Sequence, residues 1–166
     1  MKGHLLLLGS FGLLLLAYLW LQPASPSAPV NGNAKCQMRG HLPDPICTPG
    51  VINPNVNQDN IHQTICASGW SSSIRPATSY TNRLKQQQMK EYGFTDRITE
   101  HEEDHLIPLS LGGHPTDPKN LWPQPDAAPN PKDAVESRLK AAVCSGAMPL
   151  ATAQQRIATD WRSALN

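Results

Sequence analysis

The sequence predicts a small α+β domain carried behind an apolar leader, and three observations lead there. The chain has 166 residues with 16 prolines and 11 glycines, while aromatic residues make up 5% and charged residues 16%. That mixture suits a loop-rich domain with a modest core better than a helical bundle. Short runs compatible with strands lie near residues 100–122, and helix-spaced apolar residues recur after them. Four cysteines, Cys36, Cys47, Cys66 and Cys144, all follow the leader. An even count beyond an export signal reads as two disulfides in an oxidising compartment, with three pairings open. The spacings contain no C-x-x-C pair, which argues against a zinc site.

The leader is defined by Lys2 and an uncharged apolar run over residues 5–21. The run is longer than most signal-peptide cores and slightly short for a comfortable membrane span. Residues 1–22 are therefore expected to be a signal peptide or a signal anchor, residues 23–34 a linker, and residues 35–166 the folded domain. Cleavage makes the protein periplasmic or extracellular. Retention anchors it to a membrane through residues 5–21, its one expected membrane contact. No segment suggests an obligate protein partner. The formal net charge of +1 excludes a strong global attraction to polyanions, so a nucleic-acid partner has to be argued from a local site.

Residues 35–60 carry turn signals such as Leu42-Pro43-Asp44-Pro45 and Thr48-Pro49-Gly50, and predict an irregular, disulfide-tied region. Residues 63–80 alternate weakly, with Ile65, Trp70 and Ile74 as apolar points, and allow one or two short strands. Residues 81–92 predict a helix: Thr81 or Asn82 can cap it, Leu84, Gln88 and Met89 share a face, and Gly93 ends it. Arg83 and Lys90 lie on one face of that helix, either as a solvated surface or as a stripe that steers phosphates. A strand is expected over residues 100–111, a turn at Gly112-Gly113, and a short second strand over residues 120–122. Residues 132–143 repeat apolar side chains at helical spacing behind Pro131, and Gly146 suits the exit. A last helix is expected over residues 150–165, with Ile157, Trp161 and Leu165 on one face.

The chemistry concentrates in Asp104-His105-Leu106-Ile107-Pro108-Leu109, Gly112-Gly113 and Asn120-Leu121-Trp122-Pro123. Asp104 is a hard oxygen ligand beside an imidazole, and on a strand the two side chains point to opposite faces. Pro108 and the glycine pair turn the chain back, so that Asn120 on the return can fix the loop or orient the imidazole. The following helix can then close over the same point.

These residues resemble the HNH, or ββα-metal, nuclease pattern, with a core over residues 100–144. Upstream Cys47-Thr48-Pro49-Gly50, Thr64-Ile65-Cys66 and Gly69-Trp70, together with the tail Ile157-Ala158-Thr159-Asp160-Trp161, resemble an exported bacterial subgroup of that family. The resemblance implies a ββα-metal core that hydrolyses phosphodiester bonds of DNA, with RNA as a second substrate. It assigns Asp104 as first metal ligand, His105 as the general base for the attacking water, and Asn120 as organiser of the loop. A neutral imidazole supplies the base, and one divalent cation neutralises the phosphate and assists the leaving oxygen.

The chain departs from the pattern at one place. Pro129 stands where the family carries a metal-binding histidine, and no histidine follows His114. Asn130 and Asp133 are the expected replacements, with Glu136 also available, and an all-oxygen set favours Mg²⁺ or Mn²⁺. His114 is expected in the loop as a candidate substrate contact. Two rival readings exist. His101-Glu102-Glu103-Asp104-His105 matches the H-E-x-x-H signature of zinc proteases, a chemistry that requires a helix. An exported, disulfide-tied domain can also keep an HNH-like scaffold and bind a partner without cutting anything.

Overall fold

The computed structural model describes residue 32, residues 34–126 and residues 130–166. The predicted leader and nearly all of the linker lie outside the described residues. Among the described residues are four α-helices and one two-stranded antiparallel sheet, in the order α1 (Trp70–Ser73), α2 (Thr78–Glu91), β1 (His101–His105), β2 (Leu121–Pro125), α3 (Pro131–Cys144) and α4 (Leu150–Asp160). The predicted α+β class is therefore observed. Among the described residues no helix is long and apolar enough to cross a membrane.

The hairpin pairs Asp104 with Trp122 and His105 with Leu121. Prolines 123 and 125 are accommodated because each strand has only one paired edge. α2 lies against one side of the hairpin, where Met89, Tyr92, Phe94, Leu106 and Trp122 form a compact cluster. A larger core joins α3, α4 and the irregular N-terminal region. Ile65, Leu111, Leu139, Val143 and Ile157 are fully buried in it. Sealing an aliphatic side chain of this size is worth about 1.5–3 kcal/mol, so this cluster contributes much of the domain's stability.

The disulfides pair Cys36 with Cys47 and Cys66 with Cys144. The first closes a short turn-rich segment. The second ties the loop at Ile65 to the last residue of α3, across a sequence separation of 78. Paired cysteines fit an oxidising, non-cytoplasmic setting.

Several sequence expectations need correction. Residues 63–80 contain turns, the short α1 and the start of α2, not strands. Gly69 takes a left-handed conformation there, and Thr64 bonds back to the Asn60 carbonyl, so the segment coils on itself. α2 starts at Thr78, and its N-cap is Ala77, which gives no side-chain cap; Thr81 and Asn82 lie inside the helix. The first strand stops at His105, because the next residues bend into a 3-10 turn over Leu109–Leu111. Asn120 ends a second 3-10 turn and the return strand begins one residue later. α4 ends at Asp160, and Trp161 remains buried in the turns that follow.

Tyr92, 1% exposed, links the two halves of the domain. Its oxygen accepts from the Asp44 amide and lies 2.7 Å from the Thr48 hydroxyl, which in turn donates to the Leu121 carbonyl at 3.5 Å. Burial pushes the phenol up to about 12. The folded chain therefore holds this proton more tightly than the unfolded chain does. Stability from this group is complete below pH 10 and is lost as pH rises from 10 to 12, by on the order of 2–3 kcal/mol. Tyr92→Phe is expected to be less stable at neutral pH but to lose less between pH 9 and 12 than the parent, read from urea midpoints. Equal losses in the two proteins would show that this phenol does not set the alkaline limit.

Candidate functional site

The site is built where β1 ends. Asn120, fully buried, clamps the loop that joins the strands. Its Oδ1 accepts from the Ile107 amide at 3.0 Å, and its Nδ2 donates to the carbonyls of Ile107 at 2.9 Å and His114 at 3.0 Å. The Leu106 amide also donates to the Asn120 carbonyl at 2.8 Å. One side chain thus holds both ends of the loop. Gly113 is required beside it: a Cβ there would overlap the Ile107 carbonyl and crowd Asn120 Nδ2 at 2.7 Å.

His105 is 6% exposed. Its Nε2 lies 2.9 Å from the Pro115 carbonyl, which can only accept, so Nε2 carries the proton and Nδ1 keeps its lone pair. Burial lowers the ring below the ordinary histidine range, Arg75 and Lys132 push the same way, and the Pro115 carbonyl and Asp104 oppose them. The ring is accordingly neutral near pH 7, the form that accepts a proton.

Asp104 faces α3. Its Oδ1 and Oδ2 lie 3.1 and 2.9 Å from Lys132 Nζ, and Oδ2 also accepts from Trp122 Nε1 at 3.3 Å. The same ammonium donates to the His105 carbonyl at 2.8 Å and to Glu136 Oε1 at 2.6 Å. Burial alone would lower Lys132, but Asp104 and Glu136 hold it above the ordinary lysine range. Glu136 is pushed up to about 7 by burial, against the pull of Lys132. The two carboxylates together raise the lysine, whereas one ammonium shared with Asp104 does not offset the burial of Glu136.

These groups open onto a cleft of about 60 Å³ lined by Arg75, Glu102, Glu103, Asp104, His105, Pro108, Leu109, Asp133 and Glu136. Glu103 is pushed up to about 8 by burial, with Lys85 opposing and Asp104 adding to the effect. Neither Glu103 carboxyl oxygen has a hydrogen-bond partner. Raised carboxyls make the cleft less anionic than its composition suggests. Arg75, exposed at its edge, adds a positive charge.

The structure thus brings Asp104, His105 and Asn120 together around one hairpin end. The other predicted residues fall differently. Asn130 and Asp133 cap α3: Asn130 Oδ1 accepts from the Lys132 amide, and Asp133 Oδ2 accepts from the Asn130 amide. Asp133 also reaches the cleft, whereas Asn130 does not line it. His114 lies in the loop, and its Nδ1 accepts from the amides of Thr116 and Asp117. Arg83 and Lys90 are exposed on α2 and do not line the cleft.

The H-E-x-x-H reading is excluded by the local structure. Residues 101–105 are a strand, and His101 is held by Asp96 and the Pro123 carbonyl. The donors expected for Mg²⁺ or Mn²⁺ do not fit such an ion as they are placed, since the Asp104 carboxylate is already taken by an ammonium. Among the described residues no three His, Cys, Asp or Glu side chains are grouped to hold a metal.

Sequence reasoning missed Lys132 and Arg75. The signal for Lys132 was its spacing from Glu136, one turn apart on a helix that faces a carboxylate strand. No local pattern marks Arg75.

No family model, curated protein or solved structure matches this chain.

Proposed function

We propose that this chain is an exported nuclease of the HNH type, hydrolysing phosphodiester bonds of DNA, with RNA as the second substrate to try. The reading is carried by one observation: a buried, partnered imidazole at the end of a hairpin whose loop is clamped by Asn120, with α3 closing over the adjacent carboxylate. The apolar leader and the two disulfides support export to the periplasm or beyond.

In this reading a water lies against His105 Nδ1 at the mouth of the cleft. The water oxygen attacks phosphorus while its proton passes to Nδ1. The bond from phosphorus to the leaving oxygen then breaks, and that oxygen takes a proton from solvent. The Pro115 carbonyl keeps the ring oriented and stabilises the imidazolium that forms. Arg75 is the group placed to meet a phosphate oxygen.

The test is nicking of supercoiled plasmid in three arms, containing Mg²⁺, Mn²⁺ or a chelator. Conversion to relaxed and then linear DNA in any arm supports the reading. Intact plasmid and intact RNA in every arm overturn it and favour an exported binding protein on the same scaffold.

A further inference from the structure

We infer that Lys132 is the resident cation of this site: its ammonium fills the position between hairpin carboxylate and helix donor that the HNH resemblance assigns to a divalent ion, so the site assembles without metal. The inference rests on the hairpin-and-helix reading of the site above, but its main test does not require cleavage.

The oxygen set around Nζ is the argument. Both Asp104 oxygens, Glu136 Oε1 and the His105 carbonyl surround it at 2.6–3.1 Å. Two are carboxylate groups and one is a backbone carbonyl, the hard donors that a small divalent ion would also take. Lys132 is itself fully buried. An ammonium is stable there only because the two carboxylates offset its lost hydration. Its three N–H groups are matched by Asp104, Glu136 and the His105 carbonyl, so none remains for a substrate. Lys132 is therefore a positioning residue. It holds the strand end that carries His105 against α3.

The tether makes exchange difficult. Pro131 opens α3, and the reciprocal cap between Asn130 and Asp133 fixes the turn on which Lys132 sits. A divalent ion would have to displace Nζ, which is fully buried among these oxygens.

Calorimetric titration of the full-length chain with Mn²⁺ tests this directly. The parent is expected to show no saturable binding at millimolar Mn²⁺. Lys132→Ala is expected to gain one saturable site, lost again when Asp104→Asn is added. Its melting temperature, lowered in chelator, should partly recover with Mn²⁺. Such recovery is not expected if the lysine merely packs. If Lys132→Ala does not fold, the double variant Lys132→Ala with Glu136→Gln, which removes one charge of each sign, is read the same way. Stoichiometric Mn²⁺ binding by the parent that disappears in Asp104→Asn overturns the inference. So does plasmid nicking by the parent that stops in chelator, an outcome that keeps the nuclease reading. Absence of both plasmid nicking and RNA cleavage sinks the nuclease reading and leaves the calorimetric result to stand by itself.

Discussion

His105→Ala is expected to lower plasmid nicking by ~10²–10⁴-fold, the range spanned by removal of a positioned general base. The variant should retain the parental fold, because the ring's only hydrogen bond among the described residues is to the Pro115 carbonyl. Losing it leaves that carbonyl to find water and costs about 1–3 kcal/mol. Rates should therefore be compared well below the melting temperature of the weaker protein, with folding checked by near-ultraviolet circular dichroism. A folded variant that nicks at the parental rate would remove His105 from the mechanism. Asn120 offers a useful contrast: it touches no solvent, and its loss should act through the loop.

The second large effect concerns stability. Replacing Cys66 and Cys144 together by alanine is expected to cost about 4–5 kcal/mol, from the chain entropy returned to the unfolded state by opening so long a loop. For a domain of this size that lowers the melting temperature by roughly 10–20 °C. Removing Cys36–Cys47, with a separation of only 11, should cost less, about 2–3 kcal/mol. Thermal unfolding of the two double variants checks the ranking, and the reverse order would show that native-state contacts rather than loop length dominate. Since net stability of small domains is often only 5–15 kcal/mol, the long link is a large share of the total.

Much of this fold was legible in the chain because its signals are local. Pro131 and the apolar spacing behind it mark α3, and Gly93 and Gly146 mark helix exits, since each is a short-range steric fact. The compact Asp104-His105 to Asn120 stretch was legible for the same reason: the loop is clamped by residues close in sequence. What was illegible is settled by distance. Residues 63–80 alternate like a strand, yet Ile65 is drawn into a core supplied by α3 and α4, and the chain coils to deliver it. Lys132 is ordinary in sequence, because a lysine near a helix start reads as solvated surface. Only the arrival of β1 against α3 turns it into a buried partner of Asp104. Asn130 and Asp133 were marked by their oxygen atoms as ligands. The same oxygens serve amide groups at the start of α3, a competing use that spacing alone does not separate.

The bond from the Trp122 indole to Asp104 Oδ2 has a practical consequence. Trp122 is sealed from water, and its N–H points at the carboxylate around which the whole site is arranged. Its excited-state dipole will feel any change of charge on that oxygen, so emission wavelength becomes a built-in gauge of the site. A difference spectrum against Trp122→Phe would isolate this indole from Trp20, Trp70 and Trp161, and would let ligand occupancy be followed without a label.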